Sequence, residues 1–201
     1  MGPNARVERL FATPILVQDY ENDPLIKPLE KAILARQREH PGIKRSNVGG
    51  WHSDTDFGQW AGDAGRELFQ RAANLAAAHT IDVKTGQSPQ RWFTVAWANV
   101  NRSGDSNQIH SHGAAYWSGV YYVRMHEGEG GALLLQDPRS PAIAMHAPTY
   151  RFRDNGPEEI ASVKPRAGTL VMFPSWLLHS VESWQGKGLR ISIALNLSAI
   201  P

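Results

Sequence analysis

Phe93-Thr-Val-Ala-Trp-Ala-Asn-Val100 is the stretch at which the period of the sequence changes. From here β-branched and aromatic residues dominate, and alternation puts Trp97 and Asn99 on one face, the pattern of a strand. The signal recurs at Asn107–His112, Tyr116–Met125, Gly131–Gln136, Glu158–Val163, Thr169–Phe173, Leu177–Trp184 and Leu189–Leu197. Gly, Pro and Asn punctuate the series, with a Gly-rich turn at Gly128-Glu-Gly-Gly131. Eight short strands at this spacing predict a double-sheet jelly roll or barrel.

The preceding half reads differently. Arg9–Val17 is extended and interrupted by Pro14. Asp23-Pro24 has the acidic cap and first-turn proline of a helix start. Leu25, Leu29 and Ile33 then recur at four-residue spacing until His40-Pro41-Gly42 stops the helix. A second helix is expected from about Asp56, with Phe57, Trp60, Ala61, Ala64, Leu68, Ala72 and Leu75 on one stripe. With no repeat or linker, the expectation is one domain over residues 1–201. Residues 1–90 form a mainly helical flank and 91–201 the β-core, so the class is mainly β with flanking helices (α+β).

Composition narrows the function. A chain of 201 residues with 41% hydrophobic and 20% charged residues is long and apolar enough for a folded core. A formal charge of +2 without a basic tract predicts no nucleic-acid partner. The absence of cysteine excludes disulfides, thiolate metal sites and a cysteine nucleophile. With neither a signal-peptide pattern nor a membrane-length apolar run, a cytoplasmic protein is expected. The apolar N-terminal helices could serve a homodimer.

Three histidines carry the chemistry. On a strand, His110 and His112 project to the same side. In a jelly roll the second and seventh strands are antiparallel neighbours, which would bring His179 to them. Three imidazoles suit iron, zinc, copper or nickel and leave positions open for substrate or dioxygen. The plainer reading is of core or surface histidines that bind nothing. Arg190 and Ser192 share a face of the last strand. An arginine pointing into a barrel is costly unless it meets an anion. A guanidinium fork beside a hydroxyl suits a carboxylate, although a protein carboxylate or solvent would serve an arginine too.

The motifs His110-Ser-His112, Val120-Tyr-Tyr-Val123, Gly130-Gly-Ala-Leu-Leu-Leu135, Leu170-Val-Met-Phe-Pro174, His179 and Arg190-Ile-Ser192 follow one another in a known order. In this the C-terminal half resembles the iron(II)- and 2-oxoglutarate-dependent oxygenases of the double-stranded β-helix fold. Ser46-Asn-Val-Gly-Gly-Trp-His-Ser53, Trp117-Ser-Gly-Val-Tyr-Tyr122 and Asp137-Pro-Arg139 further resemble a bacterial and phage branch of such oxygenases.

The resemblance implies an Fe(II)/2-oxoglutarate-dependent dioxygenase, a hydroxylase of a small molecule or peptide side chain, that consumes dioxygen. His110 and His179 would be metal ligands. Arg190, helped by Ser192 and Tyr122, would hold the far carboxylate of 2-oxoglutarate. The sequence departs from the pattern at His112, where the family carries Asp or Glu. His112 is then a third imidazole ligand. Another registration, His112-Gly-Ala114, is similar to the His-x-Gly/Ala of the family's halogenases.

Two other classes stay open: a cupin-like three-histidine metalloenzyme that does not use 2-oxoglutarate, and a non-catalytic binding domain on the same fold. Arg190-Ile-Ser192 is unexplained by the first; His112 favours the second. Asn47, Trp51 and His52 are expected in a lid loop, with a core anchor the alternative for Trp51. Trp97 and Asn99 could line the pocket. Arg139 could meet an acidic substrate or a nearby carboxylate. His126 and His146 are expected at the surface.

Overall fold

The computed structural model describes residues 10–125, 130–139 and 159–200. Two antiparallel sheets face one another. The larger has six strands, in the order β1 (Leu16–Asp19), β9 (Thr169–Pro174), β6 (Trp117–Arg124), β11 (Arg190–Ala199), β4 (Trp92–Asn101) and β3 (Trp51–His52). The smaller has five, in the order β2 (Asn47–Val48), β5 (Ser106–His110), β10 (His179–Val181), β7 (Leu133–Gln136) and β8 (Ile160–Val163). This is the double-sheet jelly roll that the strand series predicts.

The central strands of the large sheet are buried on both faces, because helices cover one face and the small sheet the other. Toward the helices point Ala96, Ala98, Val100, Tyr121, Ile191, Ile193 and Leu195. These pack with Leu29 and Ile33 of α1 (Ile26–Glu39) and with Leu68, Ala72 and Ala76 of α3 (Gly62–Ala78). A second, smaller cluster of Val120, Tyr122, Leu133, Leu135, Val171, Phe173 and Leu177 fills the space between the sheets. Each large apolar side chain removed from water in this way contributes about 1.5–3 kcal/mol.

A polar clamp ties the helices to the large sheet. Asp23 Oδ2 accepts hydrogen bonds from Tyr121 Oη (2.6 Å) and Arg71 Nη1 (2.7 Å), and its Oδ1 accepts from the Leu25 N–H (3.0 Å). The carboxylate is fully enclosed. Burial, reinforced by Asp23, raises the Tyr121 phenol, which therefore stays protonated as the donor.

Three expectations need correction. The second helix is two: α2 (Phe57–Trp60) is capped by Ala61, and Gly62, the first residue of α3, breaks the run by taking a left-handed φ of 63°. Asp23-Pro24 lies before the helix, which starts at Ile26 with Leu25 at its N-cap and no side-chain capping bond; Asp23 Oδ1 accepts from the Leu25 N–H instead. Asn47, Trp51 and His52 are not in a lid. Their segment folds into β2 and β3, which pair with β5 and β4 and close one side of the barrel. Trp51 is the core anchor of the alternative reading: it is buried and donates to the His40 carbonyl at 2.9 Å. His126 and His146 lie outside the described residues. Among the described residues, no helix is long and apolar enough to cross a membrane.

Candidate metal centre and carboxylate pocket

Strand pairing brings distant residues together. β5 and β10 are antiparallel neighbours in which His110 lies directly opposite His179. His112 arrives by a different route from the one alternation suggests. β5 ends at His110, and the His112 N–H is pinned to the Ser175 carbonyl (2.9 Å) in the loop following β9. The three imidazoles meet nonetheless. Their ligand atoms all lie within 4.8 Å of one another, and the ring centroids are 4.3, 4.9 and 5.1 Å apart.

The backbone sets the tautomers. His110 Nδ1 donates to the Gln108 carbonyl (2.7 Å) and His179 Nδ1 to the Leu177 carbonyl (2.9 Å). The His179 Nε2 lone pair is thereby left to face a cation, the usual device for orienting a metal-binding histidine, and that of His110 meets only the Ser46 hydroxyl, at 3.5 Å, among the described residues. Burial, with His110 adding to it, pushes His112 down to about 4. Burial also takes His179 down to about 3, against the opposing pull of the Leu177 carbonyl. Both rings are therefore neutral, as metal ligands must be, at neutral pH.

A second polar group sits on the facing sheet. Arg190 is 1% exposed, and its Nη1 donates to Asn101 Oδ1 (3.1 Å) and Ser192 Oγ (3.3 Å). Its Nε and Nη2 have no partner among the described residues, nor does the hydroxyl of the fully buried Tyr122. The guanidinium carbon lies 5.3 Å from the Tyr122 ring centroid. Burial lowers the arginine and raises the tyrosine, and the Arg190 charge partly offsets the latter. Buried donors without acceptors cost about 1–3 kcal/mol each, more when charged. The pocket therefore has a standing demand for an anion with several oxygens. Register explains the grouping: Ser192 stands opposite both Asn99 and Tyr122, and Arg190 opposite Asn101.

The residues present fit two groups. Three imidazoles without a thiolate suit a borderline divalent cation such as iron(II). A buried guanidinium with unpaired nitrogens, beside two hydroxyls, suits a carboxylate.

Comparison with known proteins agrees. The family model described as "Putative 2OG-Fe(II) oxygenase" matches residues 95–196, half of the sequence. This chain belongs to the 2-oxoglutarate- and iron(II)-dependent oxygenases. No curated protein matches it. The fold of this oxygenase is similar to that of a Pseudomonas putida prolyl-4-hydroxylase, with 17% identity over 94% of both proteins and a TM-score of 0.62. A Trichoplax adhaerens prolyl hydroxylase, in complex with a hypoxia inducible factor peptide fragment, is also similar. There the identity is 10%, coverage 92% of this protein and 83% of that one, and the TM-score 0.60. HygX from Streptomyces hygroscopicus, solved with nickel and 2-oxoglutarate bound, shares 14% identity over 93% of this protein and 83% of its own length, at a TM-score of 0.58. Iron(II) is thus the metal of this oxygenase and 2-oxoglutarate its cosubstrate, with a substrate and dioxygen as the partners of the reaction.

Further residues complete the oxygenase's pocket, of which Asn101 belongs to no motif. Asn101 orients Arg190, and extending the Trp97, Asn99 alternation by two positions would have found it. Gly131, at φ 70°, lets the backbone lie against Arg190: a Cβ there would stand 2.9 Å from Arg190 Cδ. His52 stacks on Trp97 (5.6 Å, 11°), and Trp97 in turn lies 5.4 Å from His112. Trp97 therefore borders the histidine cluster. Arg139 instead takes the plainer role, pairing with Asp137 through Nε (2.9 Å) and Nη2 (2.5 Å).

Proposed function

We propose that His110, His112 and His179 together bind the iron, that Arg190, Ser192 and Tyr122 hold the far carboxylate of 2-oxoglutarate, and that the enzyme is a hydroxylase. The observation that carries this reading is the enclosed Arg190 guanidinium with two unpaired nitrogens on the sheet facing the histidine cluster. A zinc or cosubstrate-free iron site of the cupin kind would account for the histidines. It would leave that buried charge unexplained.

Iron(II) and 2-oxoglutarate supply the oxidising chemistry when bound, with dioxygen as oxidant and succinate and carbon dioxide as by-products. The protein's own residues position and enclose. The Gln108 and Leu177 carbonyls keep the Nδ1 protons on His110 and His179, so that both present Nε2. Asn101 and Ser192 hold the guanidinium edge that would otherwise rotate, leaving Nε and Nη2 for the carboxylate. Tyr122, kept protonated by burial, can donate to the same oxygens. The apolar cluster of Val171, Phe173, Leu133 and Leu135 keeps water from this end of the barrel, which strengthens each of those contacts.

The substrate offers an aliphatic C–H bond, on a small molecule or on the side group of a peptide residue. Similarity in fold to two prolyl hydroxylases, one of them solved with a peptide, supports that breadth. We read residues 1–201 as one domain, because the helical flank packs directly on the β-core.

The test is anaerobic addition of iron(II) and 2-oxoglutarate to metal-free protein, followed by oxygen. A visible charge-transfer band and then succinate are expected. Arg190→Ala should weaken 2-oxoglutarate binding by about 2–5 kcal/mol, the cost of truncating one partner of a buried charge pair. A wild-type protein that gives neither band nor succinate would overturn the proposal.

A further inference from the structure

The charges of the pocket do not balance with iron and 2-oxoglutarate alone. Its three histidines are close enough to share one ion, and no aspartate or glutamate belongs to that cluster among the described residues. Arg190, fully buried, adds a positive charge with no carboxylate partner there. Its surroundings are Asn101, Ser192 and Tyr122, none of which is anionic at neutral pH.

Neutral imidazole ligands leave the full double charge of a divalent ion uncompensated. Adding the guanidinium makes three positive charges, and the 2-oxoglutarate dianion offsets two. Among the described residues one positive charge remains, at a site closed around Arg190 and open at the half-buried His110 and His112, where an entering anion can meet it. A carboxylate at position 112 would have removed it. The histidine found there instead transfers that requirement to something that enters from outside.

We infer that this oxygenase takes an acidic substrate, an organic molecule or side chain bearing one carboxylate, whose charge completes the neutrality of the pocket beside the metal. The inference rests on the three-histidine iron site proposed above. It narrows the substrate from any C–H donor to an acid. It also assigns His112 a role in substrate selection as well as metal binding: the third imidazole makes the centre selective for anions.

The test uses anaerobic iron(II)·2-oxoglutarate protein and an isosteric probe pair, propionate and propionamide, at constant ionic strength. Binding is followed by the perturbation of the charge-transfer band and by the electron-paramagnetic-resonance line shape of the nitric oxide adduct. Propionate should bind at least about tenfold more tightly than propionamide, as expected for one charge at short range in a partly screened site. In His112→Asp, which restores a carboxylate, that preference should shrink by about the same factor. Equal binding of the two probes, or no binding of propionate, overturns the inference while the band shows the cosubstrate site intact. Absence of the band itself would overturn the iron and 2-oxoglutarate assignment, and this inference with it. Azide is the third probe. An azide response without a propionate preference would place the missing charge at the metal's open position, and would overturn the organic-acid class.

Discussion

At the scale of single residues, the site is a set of buried polar groups whose partners are incompletely supplied by the protein. Arg190 shows this most plainly, with only one of its nitrogens satisfied among the described residues. Gly131→Ala tests how finely it is placed. The added methyl would stand within 3.0 Å of Arg190 Nε and Cδ, and φ 70° disfavours any side chain there. We expect weaker 2-oxoglutarate binding, by about tenfold, with iron binding unchanged, measured by separate anaerobic titrations. The histidines give a pH signature. Folding holds His112 at about 4 and His179 at about 3, below the ordinary 6.5. Between those limits the unfolded chain binds more protons than the folded one, so stability rises with pH. Metal-free protein should accordingly lose stability progressively as pH falls from 6.5 towards 4. His112→Ala should make the slope of urea midpoint against pH shallower, and an unchanged slope would contradict the burial assigned to that ring.

Individual elements explain why some of this was legible in the sequence and some was not. β4, β6, β9 and β11 are runs of β-branched, aromatic and apolar residues long enough to announce themselves, and the observed strands lie within a few residues of the expected ones. β2 and β3 are only two residues long, below any periodic signal, so Asn47–His52 resembled a loop and its pairing with β5 and β4 was invisible. The break between α2 and α3 hides for a related reason. Gly62 is tolerated within an apolar helical stripe, and only its positive φ reveals that the stripe belongs to two helices. The Asp23 clamp was also unreadable, because it joins residues 98 positions apart. Asp23→Ala would strand the Tyr121 hydroxyl and the Arg71 charge. It should destabilise the fold by about 3–5 kcal/mol in chemical denaturation, as breaking a buried ion pair does, whereas exposed Arg66→Ala in the Asp63 pair should cost less than about 1 kcal/mol.

Across the whole molecule, the two sheets divide the labour. The small sheet and the loop after it bring the three histidines together, and the large sheet carries Arg190, Ser192, Tyr122 and Asn101 in adjacent rows of side chains. The order of motifs was enough to place His110 against His179, since a jelly roll fixes which strands are neighbours. It was not enough to place His112, which leaves the strand and is held by a backbone bond to Ser175. On the resemblance, that proposed third ligand is where the sequence departs from the His-x-Asp or His-x-Glu of such oxygenases. Iron K-edge absorption of the anaerobic iron(II) protein is the most direct test of it. The three-histidine centre predicts three imidazole scatterers per iron, falling to two in His112→Ala. Two imidazoles in the wild-type protein, unchanged by that substitution, would contradict it.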